Sequence, residues 1–242
     1  MIKFFDYYIY SKDISKINLE SKLIINTINP HSFVVAINDE FFKKSLKNSD
    51  ILLPDGIGIV FGIKLLYNKK LKRITGYDIH EHILNLSNKN YKTVFYLGSS
   101  NKVLEKLKEN VKKNFRNLKV FTYSPPFKNK LSKNDNLKII SKINKVNPDV
   151  LFVGMTAPKQ EKWVYENHKK INIKTICSIG AVFDFYSKNK NRAPNIFLKL
   201  NLEWFYRIIT DFRLLKRTLI SAPIYIFLIL RKKINLFFPY KK

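Results

Sequence analysis

Short β-rich apolar runs at residues 23–25, 51–53, 93–97, 119–123, 150–153 and 175–179 alternate with longer stretches of helical periodicity such as 102–115 and 136–143. This alternation is the signature of βαβ units, and it predicts an α/β, Rossmann-like fold with a mostly parallel sheet flanked by helices. At 242 residues and 45% hydrophobic, the chain is long enough to bury a sizeable core in one domain. No internal repeat is present. The Asn- and Lys-rich connections at 128–136 and 188–191 read as exposed loops or helix starts.

In open α/β sheets ligands collect at the carboxyl ends of the strands. The run at 150–153 feeds Gly154-Met-Thr-Ala-Pro-Lys-Gln-Glu161, which opens an amphipathic segment continuing through Trp163 and Val164. A helix N-terminus leaves N–H groups unpaired and carries the positive end of the macrodipole, so it attracts a phosphate, and Lys159 adds a full charge. Pro158 suits the first helical position. A plain, solvated strand-to-helix connection would carry the same residues.

The run at 51–53 leads into Pro54-Asp-Gly-Ile-Gly58, which sets the carboxylate of Asp55 between a strand and a glycine-rich helix start. With parallel strands, Asp55 and the 154–161 turn face one crevice. Gly56, Gly58 and Gly62 miss the dinucleotide fingerprint and no acidic ribose ligand follows at the expected distance, which argues against a dehydrogenase. A third strand end delivers Thr27 and Asn29 ahead of a helix expected to begin near His31. Taken singly, Thr27 reads as a helix-cap or turn residue.

In this order these pieces resemble the TagA/WecG/CpsF family of bacterial glycosyltransferases, and the resemblance covers nearly the whole chain. It is carried by Thr27-x-Asn29, Pro54-Asp-Gly-x-Gly58, Arg73-x-x-Gly-x-Asp78, the strand end Tyr96-Leu-Gly98, Pro158-Lys-Gln-Glu161, Phe183-Asp184, Arg192-Ala-Pro194 and Leu202-Glu-Trp-Phe-Tyr-Arg207. Departures are Gly180-Ala181 where many members carry Gly-Gly, Asp211-Phe-Arg213 where many carry Glu-Pro before an Arg, and Tyr123-Ser-Pro-Pro-Phe127 for the usual Gly-Tyr-Phe. They bear on donor and acceptor identity more than on reaction type.

The resemblance implies an inverting transfer of an N-acetylmannosamine-type sugar, N-acetylhexosamine or its uronic acid, from UDP to a polyprenyl-diphosphate-linked sugar in cell-surface polysaccharide or teichoic acid synthesis. It implies Asp55 as general base, with Thr27, Asn29 and Gln160 around the sugar. Gly56, Arg73, Asp78, Gly98, Pro158, Lys159, Glu161, Asp184, Arg192, Arg207, Arg213 and Arg217 complete the expected substrate-binding set. No Asp-x-Asp is present, and His80 and His82, one residue apart on an expected helix, point to different faces. The family is thought to work without a metal, and no cofactor is expected. Lys159, Arg192 and the C-terminal arginines would then stabilise the leaving diphosphate.

The net charge of +27 calls for a partner or a bland cause. Nucleic acid is not expected, since no helix-turn-helix, RNA-recognition signature or zinc spacing is present. Lysines scattered over solvated faces are the bland cause. An anionic membrane surface needs charge near an apolar anchor, and the C-terminus has one: 218–230 is apolar, then come Arg231-Lys-Lys233, Leu236-Phe-Phe238 and Lys241-Lys242. The apolar run is shorter than the roughly 20 residues of a span and is interrupted by Pro223, so it reads as an interfacial segment. A core helix or a homo-oligomer contact is the other reading of that segment.

We therefore expect a catalytic domain at 1–194 and a helical, membrane-associating appendage at 195–242. The N-terminal Met1-Ile-Lys-Phe-Phe-Asp-Tyr-Tyr8 does not read as a leader, and Cys177, alone in an apolar strand, forms no intrachain disulfide. The expected location is cytoplasmic, peripheral on the inner face of the membrane. A non-catalytic basic module docking on anionic membrane or polyanion is the alternative function.

Overall fold

The computed structural model describes residues 1–189, 192–200 and 202–237. Part of the expected loop at 188–191, together with Phe238, Lys241 and Lys242 of the C-terminal segment, lies outside the described residues. The chain opens with β1 (Ile2–Phe4) and β2 (Tyr7–Ile9), an antiparallel hairpin that the sequence pattern does not announce. Then come β3 (Leu23–Ile28), α1 (Pro30–Asn38), α2 (Glu40–Lys47), β4 (Ile51–Pro54), α3 (Ile57–Tyr67), α4 (Gly76–Lys89), β5 (Thr93–Gly98), α5 (Asn101–Asn114) and β6 (Lys119–Tyr123). The chain continues through α6 (Lys133–Val146), β7 (Val150–Gly154), α7 (Lys159–Asn167), β8 (Thr175–Ser178), α8 (Val182–Tyr186), α9 (Asn195–Lys199), α10 (Glu203–Thr210) and α11 (Phe212–Phe237).

The six expected strands form one six-stranded sheet in the order β4-β3-β8-β7-β5-β6, and each pairing is parallel. Helices on both sides bury both faces, so the strands alternate between two apolar layers instead of between core and water. Val94, Tyr96, Phe152 and Cys177 face a layer shared with α4, α5 and α8. Phe95, Leu97, Leu151, Val153 and Ile176 face α6 and α7. A third cluster joins the hairpin, α1, α2 and α3 to the last helix through Phe4, Ile9, Phe33, Leu46, Ile63, Tyr225 and Ile229. Beyond β2, the Tyr10 N–H donates to the Leu52 carbonyl (2.9 Å), which covers part of the outer edge of β4.

The 26-residue α11 runs through Pro223 instead of breaking there. Pro223 is exposed, so the carbonyl four residues earlier that loses its N–H partner faces water. Ser221, Tyr225 and Ile229, four residues apart, form its buried face. Burying Tyr225 and Ile229 contributes on the order of 2 kcal/mol each. Tyr225 fixes the docking: its Oη donates to the Gly58 carbonyl (2.9 Å), and a Cβ on Gly62 would lie 2.6 Å from that oxygen. The opposite face leaves Leu219, Ile220, Phe227 and Ile234 exposed. No described helix is long and apolar enough to cross a membrane.

Candidate active site

At the end of β4 the Asp55 N–H donates to the carbonyls of Ile28 (2.9 Å) and Leu53 (3.0 Å), so its backbone is pinned to the end of β3. Gly56, at φ +113, is the N-cap of α3 and no side chain caps that helix, so Asp55 does not serve as a capping residue. The starts of α3 and α1 abut: a Cβ on Gly58 would lie 2.5 Å from Pro30 Cγ. Capping of α1 falls to Asn29, whose Oδ1 accepts from the Ser32 N–H (2.9 Å). Thr27, which alone reads as a cap or turn, is instead a half-buried residue of β3 opposite Leu53; helix α1 begins at Pro30, and its cap is two residues beyond Thr27.

The segment leading to α4 lies beside Asp55 because the Ile74 N–H donates to the Pro54 carbonyl (3.1 Å). Asp78 closes a capping box, its Oδ2 accepting from the Thr75 N–H and Oγ1, each at 2.8 Å. Arg73 reaches across to α10, where its Nη2 is 3.3 Å from Oε2 of the buried Glu203. Arg192 lies 3.9 Å over the Tyr77 ring, with its Nη2 3.9 Å from Asp78 Oδ1 and its Nε 4.0 Å from Glu203 Oε1. Arg207, one turn after Glu203 on α10, sits over Phe185 at 5.5 Å.

These groups set the charge state of Asp55. Removal from water pushes its carboxyl up to about 6; Arg207 and Arg73 pull it down, whereas Glu203 and Asp78 push it further up. A carboxylate with this value is ionised at neutral pH and still basic enough to take a proton.

At the end of β7, α7 begins at Lys159, one position later than the sequence suggested, with Pro158 as its N-cap instead of its first helical residue. The Lys159 ammonium donates to the Lys128 carbonyl, tying down the loop after β6. Gln160 and Glu161 are buried, and Gln160 Nε2 donates to Glu161 Oε1 (2.8 Å). Burial pushes Glu161 up to about 7, although the Gln160 amide favours its ionised form. Gln160 Oε1 and Glu161 Oε2 are left buried without a hydrogen-bond partner. Such orphans are expensive in a folded protein, and an incoming hydroxyl or amide relieves them.

The glycines at these strand ends are steric necessities. A Cβ on Gly98 would be 2.3 Å from the Gly154 carbonyl oxygen, and one on Gly154 would be 2.6 Å from the Phe183 ring. Gly180 has φ +51 and lies against the Gln160 amide, whereas Ala181, at φ −63, needs no glycine. Phe183 is core, and Asp184 beside it is partly exposed on α8.

Arg207, Arg213 and Arg217 do not share one face. The chain turns extended at Asp211 between α10 and α11, and the Arg213 side chain, 85% exposed, pairs with Asp211 (3.4 Å). Arg217 is partly buried near the start of α1, where burial and the neighbouring Arg207 both lower its pKa. Arg217 also helps hold His31 neutral, down to about 4, after the larger effect of burial; the His31 Nδ1 is 2.7 Å from Ser221 Oγ. His80 is a core residue bonded to Tyr96 Oη (2.8 Å), and His82 bonds the Ile17 carbonyl (2.8 Å). Among the described residues no three His, Cys, Asp or Glu side chains are grouped to hold a metal ion.

Tyr77 in this network escaped the sequence reading, and Glu203 entered it only inside the Leu202–Arg207 motif, without a role; its four-residue spacing from Arg207 puts both on one face of α10.

Residues 10–237 match the model of the glycosyl transferase WecG/TagA/CpsF family. The chain is 34% identical over 213 residues, 88% of its length and 80% of the relative's, to an N-acetylglucosaminyldiphosphoundecaprenol N-acetyl-beta-D-mannosaminyltransferase of Bacillus subtilis (strain 168). Proteins of the same description from Bacillus spizizenii (31%, covering 86% of this chain and 78% of the relative) and Staphylococcus aureus MRSA252 (29%, covering 88% and 82%) are also similar.

Proposed function

We propose, from the premise that this chain belongs to the WecG/TagA/CpsF family of glycosyl transferases, that it moves an N-acetylmannosamine-type sugar from UDP to a polyprenyl-diphosphate-linked N-acetylhexosamine. The relatives' description supports the sugar and the lipid diphosphate. The observation that carries the chemistry is Asp55 at the end of β4, largely withdrawn from water, with its carboxyl up to about 6 and Arg73 and Arg207 in its field.

Asp55 takes the proton from the acceptor hydroxyl as that oxygen attacks the anomeric carbon. The C–O bond to UDP breaks on the opposite face, giving inversion in one displacement. Diphosphate charge grows as the bond breaks, and guanidiniums fixed beforehand stabilise it without having to reorganise. Arg73, Arg192, Arg207 and Arg217 are the side chains for this task. Arg213 has no place in it. Gln160, with its free Oε1, and Thr27 and Asn29, at the end of β3, face the sugar.

The reaction takes place at an anionic membrane surface. The exposed apolar side chains of α10 and α11, namely Trp204, Phe205, Ile209, Leu219, Ile220 and Phe227, enter the interface while Lys216, Arg231 and Lys232 meet its headgroups. The test is a panel of UDP-sugars offered with a short-chain lipid-diphosphate acceptor and read by mass spectrometry. A disaccharide-diphosphate product formed from UDP-N-acetylmannosamine supports the proposal, and no product from any N-acetylhexosamine donor overturns it.

A further inference from the structure

We infer that Glu203 is a positioning residue of the transfer reaction: its carboxylate, on α10, clasps Arg73 and Arg192 and holds both guanidiniums at the rim of the crevice beside Asp55. This rests on the reading of Asp55 as the base. Glu203 is buried at 7% exposure, an uncommon situation for a glutamate unless it is paired. Its two oxygens face different arginines: Oε2 hydrogen-bonds Arg73 Nη2 at 3.3 Å, and Oε1 lies 4.0 Å from Arg192 Nε, an ion-pair contact without a hydrogen bond.

The two arginines come from distant parts of the chain. Arg73 is fixed by the backbone bond of Ile74 to Pro54, and Arg192 by the face of Tyr77 and by Asp78. Glu203 is the group common to both. Arg207, one helical turn beyond Glu203 on the same helix, lies over the Phe185 ring. The arrangement is what a transferred diphosphate needs: rigid forks whose direction is fixed by a carboxylate behind them. Glu203 touches neither donor nor acceptor in this scheme and acts through the arginines.

The charged groups facing Asp55 are Glu203 and Arg207 from α10, Arg73 from the segment before α4, and Asp78 from the first turn of α4. Removing the negative charge of Glu203 therefore shifts the protonation of Asp55 toward lower pH, an effect that a purely structural contact would not produce.

The experiment compares wild type, Glu203→Gln, Glu203→Asp, Arg73→Gln and the Glu203→Gln/Arg73→Gln double variant in the full chain, with UDP-N-acetylmannosamine as donor. Circular dichroism at the assay temperature selects preparations that are folded. Glu203→Gln is expected to raise the donor KM and lower kcat/KM by about 10- to 100-fold, the range for misplaced positioning groups. Its acid limb should move to lower pH, because the Glu203 charge raises the Asp55 carboxyl, and Glu203→Asp should recover part of the loss. The double variant should lose less than the product of the two single losses, because the part of Glu203's action that passes through Arg73 is already gone in Arg73→Gln while the part that passes through Arg192 remains. Strict additivity, or a folded Glu203→Gln with wild-type donor KM and an unmoved acid limb, overturns the inference. Where Glu203→Gln does not fold, a Glu203→Asp variant with wild-type donor KM and acid limb overturns it in the same way. Asp55→Asn, run alongside, separates the two readings: normal turnover there removes the base without bearing on the donor KM of the Glu203 variants.

Discussion

The crevice has two unlike walls. One is the row of strand ends carrying Asp55, Gly98, Gly154 and the Gln160–Glu161 turn, where backbone hydrogen bonds and glycines with no room for a Cβ fix each position. The other is the C-terminal helices, where Glu203 is ion-paired with Arg73, Arg207 lies over the Phe185 ring and Arg217 is partly buried, while much apolar surface faces outward. The first wall is built like a core. The second is built like an interface, in which polar pairs and desolvated arginines set the geometry. Under the proposed function, proton transfer belongs to the rigid wall and anion handling to the helical wall.

The contrast breaks most readily at Asp55. Asp55→Asn should lower kcat by about 10²–10⁴ with donor binding retained, and wild-type kcat/KM should fall as pH drops through about 6, where the carboxyl takes up its proton. A pH–rate profile and isothermal titration with UDP check this, and near-normal turnover of the variant would remove Asp55 from the mechanism. On the other wall, Arg207→Ala and Arg217→Ala should each lower kcat/KM roughly 10- to 100-fold, the worth of a charge-assisted hydrogen bond, whereas Arg213→Ala should stay close to wild type. Equal losses at all three positions would mean that Arg213 turns inward when substrate binds.

The outward surface sharpens the comparison further. Because Tyr225 and Ile229 are core, deleting α11 would unfold the third cluster, so the membrane role is better tested on the exposed face. Leu219→Glu/Ile220→Glu/Phe227→Glu should cut co-sedimentation with anionic vesicles at least tenfold while shifting Tm by only a few degrees. Unchanged sedimentation would place the membrane contact elsewhere on this basic surface.

A smaller effect has the opposite sign to the catalytic one. The folded-state pKa of Asp55, about 6, is above the ordinary aspartate value of 3.8, so its contribution to stability is fully present below about pH 4 and is lost as pH rises through 6. Asp55→Asn should thus be more stable than wild type at pH 8 by about 1–3 kcal/mol, read from urea unfolding. The smallest effect expected is that of chelation: with guanidiniums holding the diphosphate, turnover should survive excess EDTA, and activity abolished by EDTA and restored by Mg²⁺ would show otherwise.

The rigid wall was legible in the sequence because a strand end followed by a helix start leaves local marks: an apolar run, then Pro54-Asp-Gly or Pro158-Lys-Gln-Glu. The helical wall left fewer. Glu203 finds its partner Arg73 at a separation of 130 residues, and no local pattern encodes such a pair. The hairpin strands β1 and β2, of three residues each, are too short for alternation to register. In α11 both faces are apolar, Tyr225 and Ile229 inward and Ile226 and Phe227 outward, so one run serves as core and as surface and its periodicity is blurred. The resemblance to the family located the arginines, yet it is the bend at Asp211 that puts Arg207 on a different helix from Arg213 and Arg217, and the exposed pairing with Asp211 that sets Arg213 apart from the partly buried Arg217.

The seat of Tyr225 on Gly58 bears on how freely the C-terminal segment can be exchanged. Its hydroxyl rests on the first turn of the helix that begins beside Asp55, in the gap left by Gly62. A C-terminal helix grafted from a relative would have to bring a side chain of matching reach, or the recipient's α3 would have to change with it. The two therefore form one inheritance unit, and chimaeras joined between residues 194 and 203 should succeed only when α3 and α11 come from the same parent.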